Sequence, residues 1–188
     1  MSRPEPILIG FFPKKTTHDA SWLGVSHVEE ICSVSNCMSK APKDWIQHWK
    51  HNMTWWLYDS EEDAWGVTGG EREAYDIYAY KIFPVVFDGA GENPIEVITT
   101  AKGSLIDYEF MGFDAVSKEA NVAEFLHSPL SCNRGADTYR VNRFCLMDEL
   151  EEAWRITREI ARDAKEKGTW EPGRYYLFEV YRKSIRMG

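Results

Sequence analysis

What this 188-residue chain lacks narrows its chemistry before any residue is placed. It contains neither G-x-G-x-x-G nor G-x-x-x-x-G-K-[ST], and no strand–G-x-S-x-G–helix elbow. Dinucleotide-binding, P-loop and α/β-hydrolase arrangements therefore lose their sequence signatures. Cysteine is scarce, at positions 32, 37, 132 and 145, with no C-x-x-C pair, so a structural zinc site is disfavoured. There is no basic excess: 30 acidic residues face 22 basic ones, for a net charge of −8. That balance argues against nucleic acid or an anionic membrane as partner, because both require a positive field. Lys14-Lys15 and Arg182-Lys183 with Arg186 are small basic groups that read as solvated surface charge.

Long apolar runs are missing as well. The stretch Ile7–Phe12 is too short for a signal peptide and far short of a membrane-spanning helix. The expectation is a cytoplasmic protein with reduced thiols. No repeat, heptad or low-complexity tract appears. Residues 1–188 are expected to form one globular domain, large enough to bury roughly 70% of the surface of the unfolded chain.

Aromatic residues are abundant, at 14% of the chain, which argues against disorder. Five of the eight tryptophans (Trp45, Trp49, Trp55, Trp56 and Trp65) lie between positions 45 and 65, beside His48 and His51. Such a cluster is either an anchor of the core or a binding surface, since a buried indole N–H needs an acceptor.

Strands are predicted at Ile7–Phe12, stopped by Pro13, and at Val25–Val34, Ile95–Thr100, Leu105–Phe110, Phe113–Val116, Tyr139–Cys145 and Arg174–Tyr181. Ala74–Asp88 carries the clearest strand pattern. Pro84 inside it implies an edge strand, or two strands divided by a bulge. Asp88–Pro94 reads as a turn, Val122–Leu126 as a short apolar segment, and Gly112 as a bulge. Helices are predicted from Pro42 to His51, over Glu61–Trp65 after a Ser60–Asp63 cap, and over Asp148–Lys167 before Gly168. The last has one apolar stripe: Leu150, Ala153, Trp154, Thr157, Ile160, Ala161 and Ala164. Exposed pairs Glu151–Arg155 and Arg162–Glu166 are expected on its other side. The fold class is α+β, with a largely antiparallel sheet of about five to seven strands. A long C-terminal helix (148–167) and a shorter Trp-rich helix (42–51) pack on it.

Four groups of residues offer chemistry. The loop His127–Arg134 combines an imidazole, two hydroxyls, a thiol, an amide and a guanidinium. Cys132 suits a nucleophile, His127 or His18 its base, and Asn133 or Arg134 an anion stabiliser. The same residues also suit a turn with Cys132 as a small buried apolar group. Val34-Ser-Asn-Cys37 and Leu130-Ser-Cys-Asn133 echo one another as two small-residue turns. His48 and His51 share a helix face at a spacing used by metal sites, but a site would need a third ligand from elsewhere, such as His18, His27, Cys37 or a carboxylate, and no metal and no cofactor is expected. Trp55 and Trp56, being adjacent, cannot both face inward from a strand. Asp59, Glu61, Glu62 and Asp63 form an acidic group that suits a helix start better than paired acid–base chemistry.

The combined reading is a binding protein that recognises a protein partner or a small ligand. Trp49, Trp55, Trp56 and Tyr58 would anchor the contact, with Asp59, Glu61 and Glu62 on its rim. An inhibitor or immunity-type role suits such a small acidic chain. The alternative is a cysteine-dependent hydrolase or transferase using Cys132, His127 and Asn133.

Overall fold

A computed structural model describes residues 3–35, 40–43, 45, 55–97, 99–118 and 126–184. Its centre is an antiparallel five-stranded sheet built from β1 (Ile7–Lys14), β2 (Asp76–Phe87), β3 (Glu92–Pro94), β4 (Glu109–Lys118) and β5 (Arg174–Lys183). The order is β1-β2-β5-β4, and β3 pairs with the far end of β2. Among the described residues three α-helices accompany it: α1 (Glu61–Gly66), α2 (Pro129–Cys132) and α3 (Leu150–Lys167). Among the described residues no helix is long and apolar enough to cross a membrane.

The α+β class and the C-terminal helix follow the sequence pattern, and the departures have local causes. β2 is a central strand, not an edge. Its register with β5 shifts between Ile82 and Val86, so Pro84 sits in a bulge where no ladder donor is needed. The Pro84 carbonyl instead accepts from Ile95 N. β1 does not stop at Pro13 but pairs on to Lys14. Phe11 exchanges both backbone bonds with Tyr58 on the outer side, and Lys15 N donates to Lys40 O. Pro13 shares that outward phase, so its missing N–H removes nothing from the β1–β2 ladder. Gly112 is the predicted bulge: at φ +138 its missing Cβ would lie 2.7 Å from the Met147 carbonyl. α3 begins at Leu150. Asp148 does not cap it, and its carboxylate accepts instead from Asn142. Gly168 closes it at φ +63. Arg155 pairs with Glu159, Arg162 with Asp163 and Glu151 with Arg3, in place of the two predicted pairs.

Several predicted strands are loops. Residues 25–34 thread between neighbours: Glu29 and Glu30 donate to Arg143 O, Ile31 to Thr17 O and Cys32 to Phe144 O. No single partner strand exists for them. In 139–145 the Asn142 side chain accepts from Phe144 N and Leu146 N, which turns the chain and sets Cys145 at φ +61. Leu105–Tyr108 is a turn closed by Tyr108 N on Leu105 O, and only Glu109 and Phe110 belong to β4. Ile95–Thr100 forms no strand among its described residues, whereas Glu92–Pro94, read as part of a turn, does. The Pro42–His51 helix falls largely, and Val122–Leu126 almost wholly, outside the described residues.

Strand register sorts the side chains into two cores. Under α3, Trp154 meets Phe83 and Phe87 edge-on at 5.6 and 5.3 Å, among Ala115, Ile160 and Leu177. The opposite face presents Tyr78, Tyr80, Ile82, Phe178 and Val180, with Phe12 from β1. Among the described residues, α1 and residues outside the regular elements cover that face. Trp55 stands edge-on to Tyr176 and Phe178 at 5.2 and 5.7 Å, and Trp45 to Phe12 at 4.9 Å. The measurable consequence on the α3 side is that Trp154→Ala removes a buried indole from between two phenyl rings. Urea denaturation should show a loss of about 3–5 kcal/mol. A loss below about 1 kcal/mol would mean that α3 does not anchor this layer.

Candidate functional site

Across the Tyr78–Tyr80 face the chain buries two opposite charges. Lys14 and Asp114 are 1% and 0% exposed, so the basic residue read from sequence as solvated is in fact internal. The Lys14 ammonium donates to the carbonyls of Ser33, Val34 and Ser35 at 3.0, 3.0 and 3.2 Å. Asp114 accepts from Ser33 Oγ and Val34 N at 2.8 Å and from Ser128 Oγ at 2.5 Å. One segment, 33–35, therefore takes its carbonyl partners from β1 and its amide and hydroxyl partner from β4. Burial pushes the Asp114 carboxyl up, opposed by these three donors and by the Lys14 charge.

This clamp brings residues 33–35 against the α2 segment. Ser128 and Ser33 share Asp114, and Ser35 Oγ lies 3.1 Å from Cys132 Sγ. Cys132 is half-buried at the end of α2, its N–H bonded to Ser128 O. His127 exchanges backbone bonds with Ser117, and its Nδ1 lies 3.5 Å from Glu171 Oε1. Asn133 Nδ2 donates to the same oxygen at 3.5 Å. Glu171, which no sequence motif marks, thus joins two of the three residues proposed for cysteine chemistry. Its other oxygen, Oε2, is buried without a partner. Arg134 pairs with Asp137 at 2.9 Å. His18 lies elsewhere, 3.8 Å from Glu30.

Of the remaining thiols, Cys32 and Cys145 sit in unreactive surroundings. Burial pushes Cys32 up to about 11 and raises Cys145 further. Cys32 accepts from Tyr78 Oη at 3.5 Å. The Tyr80 hydroxyl below it is buried without a partner. Cys37, His48 and His51 lie outside the described residues, and no group of three metal-binding side chains occurs among those described.

The structure divides the aromatic and acidic candidates. Trp55 and Tyr58 are 5% and 0% exposed, so their rings belong to the core, and Trp49 lies outside the described residues. Trp56 is half-buried at φ +58, its ring 6.1 Å from that of Trp45. Ser60 caps α1 by accepting from Asp63 N at 3.1 Å, as its spacing implies. Burial raises Glu61, but bonds from Lys183, Tyr108 and Trp65 outweigh it and hold the carboxyl below its ordinary value. Asp59 and Glu62 are exposed. Beside them runs a segment that pattern reading passed over as strand. Asp59 O accepts from Lys102 N, and Lys183 reaches Asp107 at 3.9 Å. Ile106 is 89% exposed and Phe110 43%, flanking exposed Asp107 and Glu109.

No family model matches this chain, and no curated protein or solved structure matches it significantly.

Two measurements check the polar centre. Asp114→Ala strips three donors of their acceptor and leaves a buried ammonium without its opposing charge, so it should cost about 3–5 kcal/mol. Asp114→Asn should cost clearly less. Equal losses would show that the charge is irrelevant. For Cys32 the pH sign is set by its raised value. The stability tied to the protonated thiol is complete below 9.0 and lost as pH rises through about 11. Cys32→Ala should flatten the alkaline stability limb across that window, and an unchanged limb would contradict the assignment.

Proposed function

We propose that the chain is a binding protein whose contact surface is the acidic, partly apolar end of the molecule. That surface runs from Asp59 and Glu62 along Ile106, Asp107 and Glu109 to Phe110. The observation that carries the reading is the exposure of Ile106 and Phe110, the large apolar side chains left in solvent among the described residues. Asp107 and Glu109 lie between them in sequence. An apolar anchor inside an acidic rim suits a partner segment that is basic and amphipathic. Desolvation of the anchors supplies affinity, while the net charge of −8 steers encounter. The buried Trp55 packs on Tyr176 and Phe178 and takes no part in this surface.

The test compares affinity capture by the native chain with capture by Ile106→Asp combined with Phe110→Ser. Partners retained by the native chain should be lost at least about tenfold in the variant, and should elute as salt rises. Ile106 lies in solvent, whereas Phe110 also packs on Phe113 and Tyr181 at 5.2 and 5.4 Å, so the variant should melt below the parent and capture is compared at a temperature where both are folded. Identical partner sets for the two proteins would overturn the reading.

A second reading rests on Glu171. A carboxylate on His127 Nδ1, with Asn133 on the same oxygen and Cys132 half-buried five residues on, is the kind of support a thiol-based hydrolase or transferase uses. It requires Cys132 to be alkylated by iodoacetamide at neutral pH far faster than Cys32 and Cys145. Equal rates for the three would remove it.

A further inference from the structure

Away from the acidic end, the surface carries a cleft of about 670 Å³ where β2, β3 and α3 meet. Its floor is the bulge in β2, Pro84 and Val85, with Pro94 and Ile95 along one side. Its wall is one face of α3, where Trp154 and Arg158 stand four residues apart. Arg3 closes the other side, its guanidinium 4.9 Å from the Trp154 ring centroid. The volume falls within the roughly 300–1,000 Å³ of small-molecule sites, and the lining has their usual balance of apolar surface and few charges.

The charges decide the ligand class. The lining holds Arg3, Arg158 and Glu92, two cations against one anion, on a chain whose net charge is −8. Arg3 is itself paired with Glu151, so these charges balance and the cleft is locally neutral on an otherwise acidic chain. Arg158 meets Glu92 through Nε and Nη2 on a single carboxylate oxygen, which leaves its Nη1 outside that pair. Arg3 meets Glu151 through both terminal nitrogens. A carboxylate or a sulfonate group suits guanidinium donors, and a flat apolar body suits the proline and isoleucine surface beside them.

We infer that this cleft binds a small amphipathic organic anion. The ligand's ring system would lie on Pro84, Pro94 and Ile95, with its acid group on Arg158. The site shares no residue with the acidic surface proposed for partner binding, so either can fail alone.

The probe is 8-anilinonaphthalene-1-sulfonate, with uncharged N-phenyl-1-naphthylamine as its neutral counterpart, titrated against the folded full chain. Sulfonate fluorescence should saturate as a single site, with at least about tenfold preference over the neutral probe. Arg158→Gln, a change to an exposed side chain, should weaken the sulfonate about tenfold and leave the neutral probe unaffected. Ile95→Asp, which places a carboxylate along one side of the cleft, should abolish sulfonate binding. Ile106→Asp with Phe110→Ser should bind the sulfonate like the parent. Non-saturating fluorescence, equal affinity for the two probes, or an unchanged Arg158→Gln titration would each overturn the assignment.

Discussion

Two opposite charges withdrawn from water on either side of one short segment hold this architecture in register. Lys14 belongs to β1 and Asp114 to β4, the two ends of the four-strand path, and these strands never pair with each other. Yet both are bonded to residues 33–35. The segment ties the sheet edge to edge across the Tyr78–Tyr80 face. Neither charge would be tolerable alone in such surroundings, because the desolvation of an isolated ion exceeds what hydrogen bonds return. The backbone between them supplies carbonyls to the cation and an amide to the anion. Its own polar groups are satisfied by the same contacts. Because Ser128 also bonds to Asp114, the start of α2 and its thiol are positioned by the same pair.

The tryptophan-rich segment answers a packing problem that the helix count creates. α3 covers one face of the sheet, and the opposite face is equally apolar but has no long helix among the described residues. Large rings close it. Trp55, Tyr58 and Trp45 pack against Phe12, Tyr176 and Phe178 at the offset and edge-on angles that aromatic pairs favour. A few indoles then do what several turns of helix do elsewhere. They leave the acidic residues of the same stretch at the boundary, where Glu61 locks α1 to Lys183 and Glu62 faces out.

How much of this was legible in the sequence depends on whether a signal was local. α3 was readable because its stripe, length and terminal Gly168 all lie within twenty residues. The strands β1, β2 and β5 were readable from β-branched and aromatic runs, and the bulge at Gly112 from the glycine itself. Residues 25–34 and 139–145 have strand-like composition, yet they receive their backbone partners from several loops or from Asn142. That is a property of the tertiary arrangement and not of the run. The internal position of Lys14 was invisible for the same reason. A lysine beside another lysine looks solvated until three carbonyls from twenty residues away are placed around it. For the candidate site, the loop 127–134 was readable as a concentration of polar types, but Glu171 was not, since a single glutamate before Pro-Gly carries no mark of its partner. The adjacent Trp55 and Trp56 did announce that one ring must turn aside. Trp56 does so through a left-handed backbone, not by the alternation of a strand.

The proline in β1 has a consequence beyond its own ladder. An open strand edge is a template on which another chain can polymerise, and folded proteins suppress that hazard by removing donors from it. Along β1 the outward groups are already claimed by Tyr58 at Phe11, by Ala101 at Leu8 and by Lys40 just past the strand end. At Pro13 no outward donor exists to be claimed. A chain with so many aromatic and β-branched residues is a strong candidate for runaway cross-β growth. Here the edge is sealed by loops wherever it can donate, and by a ring wherever it cannot be reached.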